Sequence, residues 1–99
     1  MSDKTDNVTS TVNSDVTLTC VNETGRTVRW SALLVNSALS LIVFNGQTVS
    51  RRFPRVSERT DEETGDSKLM IDNVQYEDAG NYTCHSRTNH YFTLTVIGS

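Results

Sequence analysis

The sequence predicts an all-β protein that folds as one β-sandwich domain, and three observations support this. The chain has 99 residues, which is the size of a single domain. Apolar and polar residues alternate in short runs, and turn residues separate the runs at regular spacing. No run has the period of a helix, and short strands that each bury one face pack as two sheets. We therefore expect one domain over residues 1–99, with an ordered core at about 8–97.

The N-terminal part of the chain contains two predicted strands. Residues 1–11 are polar, with Val8 as the one apolar anchor, and predict a loose first strand. Asn13 lies in the turn that follows, where its short polar side chain tolerates a left-handed backbone. Residues 15–20 then alternate cleanly and predict a half-buried strand. The residues on its inner face are Val16, Leu18 and Cys20.

Three more strands are predicted in the middle of the chain. Residues 28–33 form a strand with Trp30 pointing inward, and residues 39–44 form a second, more apolar strand. Asn45-Gly46 closes that strand and is a strong hairpin signal. Residues 47–51 then predict a short edge strand.

The C-terminal part alternates between strands and polar turns. Residues 55–60 predict an exposed strand, 61–66 an acidic turn, and 69–74 an apolar strand. Residues 87–90 read as a tight loop before the last strand, 91–97. The inward residues of that last strand are Phe92, Leu94 and Val96.

Composition and motifs argue against an enzyme and against several kinds of ligand. The net charge is -3 with acids and bases spread along the chain, so there is no basic patch for nucleic acid. No stretch of about 18 apolar residues could span a membrane. His85 and His90 lack partners at metal-ligand spacing and are interpreted as exposed strand and loop residues. The acidic turn lacks the spaced ligands of a calcium loop. We expect no cofactor, no metal and no catalytic residues.

One run resembles a known family. Asp78-Ala79-Gly80-Asn81-Tyr82-Thr83-Cys84, with Cys20 and Trp30 upstream, resembles the E–F corner and F strand of an immunoglobulin domain. The resemblance implies a disulfide between Cys20 and Cys84 that joins two antiparallel sheets. It also implies a corner hydrogen bond from Tyr82 and a buried core. The expected core residues are Trp30, Tyr82 and Leu69.

Spacing favours the variable type (V-set) of this family. The span from Trp30 to Leu69 is longer than a seven-strand domain needs, and the surplus fits the extra C′ and C″ strands of the nine-strand plan. Residues 41–44, Leu-Ile-Val-Phe, are similar to the Leu-Leu-Ile-Tyr run of antibody light-chain variable domains at the same distance from the tryptophan. The last strand lacks the Phe-Gly-x-Gly bulge of rearranged receptors. The chain therefore looks like a germline-encoded recognition or adhesion protein, at the cell surface or secreted.

The resemblance also implies a structural ion pair. In this family the aspartate of the corner pairs with an arginine at the start of strand D. Arg55 fits the loop length best as the partner of Asp78, and Arg52 is the alternative. Such a pair would hold the lower end of the sandwich together.

Two features indicate an extracellular location. A disulfide implies an oxidising compartment. Three sequons agree with it and start at Asn7, Asn22 and Asn81. We expect N-glycosylation at these asparagines.

The outward positions of the predicted strands 28–33 (strand C) and 39–44 (strand C′) predict a protein interface. If Trp30 points inward, its neighbours on the strand point outward. By similarity to the spacing of antibody light-chain variable domains, part of 39–44 lies on the same face. A contiguous apolar patch of this kind marks an interface. The alternative is that strand C′ twists and buries some of these residues. The predicted interface residues are Ser31, Leu33, Leu39, Leu41, Phe44, His85 and Tyr91.

Two functions of different classes follow. The first is a non-catalytic protein-binding ectodomain module of an immune or adhesion receptor. It would associate through this front sheet with another surface protein or with a second copy as a homodimer. The second is a soluble effector that binds a glycan or microbial ligand through its loop ends, at residues 22–26, 45–48 and 88–90. Neither function involves membrane insertion by this segment.

Overall fold

The computed structural model describes residues 3–22 and 27–98. Those residues form eight strands and one single-turn 3-10 helix, Tyr76–Asp78. The strands are β1 Lys4–Thr11, β2 Val16–Cys20, β3 Arg29–Leu34, β4 Leu41–Phe44, β5 Val56–Thr60, β6 Ser67–Ile71, β7 Gly80–His85 and β8 His90–Ile97. None of the described residues forms a helix long and apolar enough to cross a membrane.

The strands form two sheets, which confirms the predicted sandwich. The front sheet has the order β1-β8-β7-β3-β4, and the back sheet has the order β2-β6-β5. All neighbours are antiparallel except β1, which runs parallel to β8 from Lys4 opposite His90 to Thr11 opposite Ile97. The first strand is therefore a regular eight-residue strand and not a loose one, and regular structure begins before residue 8.

The core lies between the sheets, on the inner faces that the alternation indicates. Trp30 and Leu69 are fully buried, and Tyr82 is 1% exposed. Cys20 and Cys84 form a disulfide across the core at a sequence separation of 64. In the chain-entropy treatment a loop of this length stabilises the fold by about 4 kcal/mol. The indole N–H of Trp30 donates to the Ser67 hydroxyl at 2.8 Å, so its polar edge is satisfied.

A bulge between β3 and β4 changes which side chains of β4 point inward. Trp30 lies opposite Phe44, but Ser31 lies opposite Ile42, so Val43 is an extra residue in β4. The chain then turns at Gly46, and the short edge strand expected at 47–51 is reduced to a single bridge between Phe44 and Val49. The prediction of a strand there is wrong. After the bridge the Ser50 N–H donates to the carbonyl oxygen of Val43 at 2.7 Å, and a turn follows in which the Phe53 N–H donates to the carbonyl oxygen of Ser50 at 3.0 Å.

The corner before β7 is held by hydrogen bonds to Asp78. The Tyr82 hydroxyl donates to the Asp78 carbonyl oxygen at 2.6 Å. The Arg55 guanidinium donates to both carboxylate oxygens of Asp78, at 2.6 and 3.0 Å, and Arg52 takes no part in this pair. These bonds raise the pKa of Arg55. Arg55 also donates to the carbonyl oxygen of Asn73 at 3.0 Å, so it joins the start of β5 to two loops.

The corner motif requires a glycine at position 80. Its φ is +148°, and a β-carbon at this position would collide with the carbonyl oxygen of Leu33 on the adjacent strand. Only glycine allows the corner to approach β3 so closely. Asn13, with φ of 73°, occupies the left-handed backbone that the sequence indicates for its turn.

Candidate functional site

The outer face of the front sheet is organised in two neighbouring rows of side chains. Residues opposite each other on paired strands share a face. The first row crosses all five strands and consists of Ile42, Ser31, Thr83, Tyr91 and Thr5. The second row crosses four strands and consists of Leu33, Asn81, Thr93 and Asn7. Leu33 follows Ser31 by two positions on β3, so the two rows are adjacent.

Four members of the predicted interface lie on this face. Leu33 is 41% exposed and Tyr91 is 37% exposed, which is high for large apolar groups. Ser31 lies between them and is buried, with its hydroxyl oxygen 2.7 Å from Nε2 of His85. This bond joins β3 to β7 beneath the exposed side chains.

The other three predicted interface residues lie elsewhere. Phe44 is buried in the core, because the bulge places it opposite Trp30 on the inner face. Leu41 lies opposite Ala32 and packs partly buried against the core. Leu39 is exposed but precedes β4, so it lies in the connection and not on the sheet. The light-chain spacing therefore assigned the wrong residues of strand C′ to the front face.

Two apolar residues that the sequence analysis missed complete the patch. Ile42 is 54% exposed and lies opposite Ser31. Val35 is 62% exposed and follows Leu33 by two positions. Val35 lies one residue past the end of β3, and extending the alternation of that strand could have indicated its exposure. The exposure of Ile42 depends on the bulge, which the sequence does not indicate. We call Leu33, Val35, Ile42 and Tyr91 the front patch.

The front patch is largely uncharged at its centre. The side chains between its apolar members are Ser31, Thr83 and Asn81, which are neutral. Arg29 is exposed two positions before Ser31, at the margin. A surface with exposed large apolar groups, neutral polar neighbours and a charge at the rim has the composition of a protein interface.

The prediction that His90 is an exposed loop residue is wrong. It is the first residue of β8, it is 6% exposed, and its ring stacks on Phe92 with centroids 4.0 Å apart. Its Nε2 lies 2.7 Å from a carboxylate oxygen of Asp6 on β1. Parity with Phe92 and Leu94 was the signal that could have placed it inward. His90 thus joins β1 to the core.

The three sequon asparagines differ in exposure. Asn7 and Asn81 are exposed, and both lie on the outer face of the front sheet. Asn22 is 3% exposed, and its backbone N–H donates to a carboxylate oxygen of Asp66 at 3.1 Å. A glycan is bulky and belongs on the surface, so the burial of Asn22 argues against the expected glycan at that position.

Some polar groups of the described loop-end residues are already hydrogen-bonded or buried. Asn45 uses its side-chain oxygen to accept the backbone N–H groups of Gln47 and Thr48, both at 2.9 Å. His90 is buried, as described above. Residues 23–26 of the third candidate loop lie outside the described part of the chain.

The opposite end of the sandwich contains a cleft of about 290 Å³. Its lining includes Leu34, Phe53 and both members of the ion pair, Arg55 and Asp78. These two charges pair with each other, and Arg52 and Glu77 also line the cleft. Within residues 3–22 and 27–98, no group of three or more His, Cys, Asp or Glu side chains could hold a metal ion.

Comparison with known families identifies the fold. The immunoglobulin V-set domain model matches residues 3–96. A search of curated proteins found no match. The match covers all eight strands up to the last residues of β8. V-set domains are typically non-catalytic modules that mediate protein–protein interaction in recognition proteins, and those with a disulfide are typical of extracellular or secreted proteins. The chain belongs to the immunoglobulin V-set family.

Proposed function

We propose that this domain is a non-catalytic protein-binding module of an extracellular immune or adhesion protein, and that it self-associates through its front sheet. The observation that carries the proposal is the front patch. Leu33 on β3, Ile42 on the neighbouring strand β4 and Val35 in the turn directly after β3 are each more than 40% exposed. Contiguous exposed apolar side chains of this size mark interaction sites on soluble domains.

The hydrogen bonds beneath the front patch also support the proposal of self-association. Ser31 and His85 satisfy each other, and no described buried side-chain polar atom lacks a partner. The polar groups beneath the patch therefore have their hydrogen bonds before a partner binds, and preorganised surfaces lose less conformational entropy on association.

A second copy of the chain is the occupant that the charges favour. The centre of the patch is neutral, so two copies can meet face to face without opposing like charges. A two-fold axis through the patch would place each Leu33 against the apolar residues of the partner copy. The front patch spans the four strands from β4 to β8, about 15 Å, so the contact is at the small end of specific interfaces. We expect weak, reversible dimerisation.

Sedimentation velocity on unglycosylated protein over a concentration series tests this proposal. Leu33→Glu and Ile42→Glu each place a charge in the patch, and we expect each to weaken self-association at least tenfold. Ser57→Glu is the matched control, because Ser57 is exposed on β5 of the back sheet. Thermal unfolding of all variants establishes that they are folded.

Two results would contradict the proposal. One is a parent protein that sediments as a monomer at every concentration. The other is a parent that dimerises equally well with Glu at position 33, 42 or 57. Retention of a monomeric parent on a glycan array would instead favour ligand binding at the loop ends.

A further inference from the structure

The two exposed sequons lie on the face that carries the front patch, at very different distances from Leu33. Asn81 on β7 lies directly opposite Leu33 on β3. Opposite residues on antiparallel strands have β-carbons about 5 Å apart. Asn7 lies on β1, three strands from Leu33, which corresponds to about 15 Å.

The exposed side chain of Asn81 leaves room for a glycan. Its amide oxygen accepts a hydrogen bond from the Thr93 hydroxyl at 3.1 Å. The amide nitrogen has no protein partner among the described residues, and the residue is exposed. A glycan attached to this nitrogen would leave the hydrogen bond intact and project from the sheet beside Leu33.

We infer that a glycan on Asn81 blocks association through the front patch, so that occupancy of this one sequon decides whether the domain self-associates. The inference rests on the proposed function. A lipid-linked oligosaccharide diphosphate is the donor. The Asn81 amide nitrogen forms a bond to the anomeric carbon, loses one proton, and the lipid diphosphate leaves with the electron pair of the broken bond.

Steric exclusion explains the effect. A face-to-face contact that covers Leu33 must also cover its cross-strand neighbour, because an interface excludes water from a continuous area. A bulky, hydrated glycan at Asn81 occupies that area. A glycan at Asn7 lies on the edge strand, beside Tyr91 but about 15 Å from Leu33, and leaves the apolar side chains of β3 and β4 open. The same modification thus has different consequences at two positions of one row.

Matched variants made in a secreting eukaryotic cell separate these positions. Intact mass gives the occupancy of each sequon, and sedimentation velocity gives the association. We expect wild type and Asn7→Gln, both glycosylated at Asn81, to be at least tenfold weaker in self-association than Asn81→Gln. Unglycosylated Asn81→Gln should associate as strongly as unglycosylated wild type, which checks that the substitution itself leaves the patch unchanged.

Unglycosylated wild type distinguishes the two ways of failing. If it dimerises and protein with an occupied Asn81 dimerises equally well, the inference is wrong while the proposed function stands. Mass spectra without a glycan at Asn81 would overturn the inference in the same way. If unglycosylated wild type does not dimerise, both fail.

Discussion

Tyr82→Phe tests how much the corner hydrogen bond stabilises the fold. The change removes one oxygen and keeps the buried ring, which is 1% exposed. The lost bond, at 2.6 Å to the Asp78 carbonyl oxygen, leaves that buried acceptor without the hydroxyl. Leaving a buried acceptor unsatisfied costs about 1–3 kcal/mol. We expect a loss of about 2 kcal/mol, which lowers Tm by roughly 10 °C in a domain of this size.

The same variant should change how stability depends on alkaline pH. Burial, and then the nearby Asp78 carboxylate, raise the pKa of Tyr82 above its ordinary value of 10.0. The folded state therefore holds the phenolic proton more tightly than the unfolded state. This contribution is fully present below a pH of about 10 and is lost as the pH rises from there towards the higher folded pKa. The stability difference between wild type and Tyr82→Phe should thus shrink above pH 10.

Urea unfolding followed by tryptophan fluorescence measures both effects, because Trp30 is the one tryptophan and lies in the core. Tyr76→Phe is the control, since Tyr76 is 56% exposed. The reasoning is refuted if Tyr82→Phe is as stable as Tyr76→Phe at neutral pH. A stability difference that stays constant from pH 8 to 11 would refute the proton-linkage argument alone.

The remaining predictions concern the ion pair and the glycines. Arg55→Met should cost about 2 kcal/mol in urea unfolding, less than for a fully buried pair, because the Arg55 side chain is 32% exposed. Arg52→Met should stay within about 0.5 kcal/mol of wild type, and an equal loss from both variants would contradict the assignment of the pair. Gly80→Ala should cost at least about 3 kcal/mol in thermal unfolding, since backbone strain and overpacking against β3 add. Gly46→Ala should cost less, because the added β-carbon would lie closest to the Thr27 side chain and no nearer than 3.7 Å to the backbone of Val28; the reverse order would overturn the explanation of the corner glycine.

Local features of the chain were the ones that could be predicted from sequence. The corner motif is short, and one of its hydrogen bonds closes within it: the carbonyl oxygen of Asp78 accepts from Tyr82 four residues later. Strand alternation depends on neighbouring residues only, so the core of β2 and β8 followed directly from it. The resemblance supplied the long-range disulfide that alternation alone does not specify.

Long-range pairing decided the features that were wrong or missed. A bulge is a property of two paired strands. The inward orientation of Phe44 and the exposure of Ile42 therefore could not be predicted from residues 39–44 alone. Asp6 and His90 are 84 positions apart, and no local pattern joins them. The candidate site is affected most, because its membership depends on the register between β3 and β4.

The parallel pairing of β1 with β8 also has a mechanical consequence. Lys4 lies beside His90 and Thr11 beside Ile97, so the start of β1 and the end of β8 are at opposite ends of the domain. A pulling force applied between Lys4 and Ile97 runs along both strands and loads all their hydrogen bonds together, in shear. The strands would have to slide past each other and could not separate one bond at a time. The His90–Asp6 contact lies across that sliding plane and resists the first step of the slide.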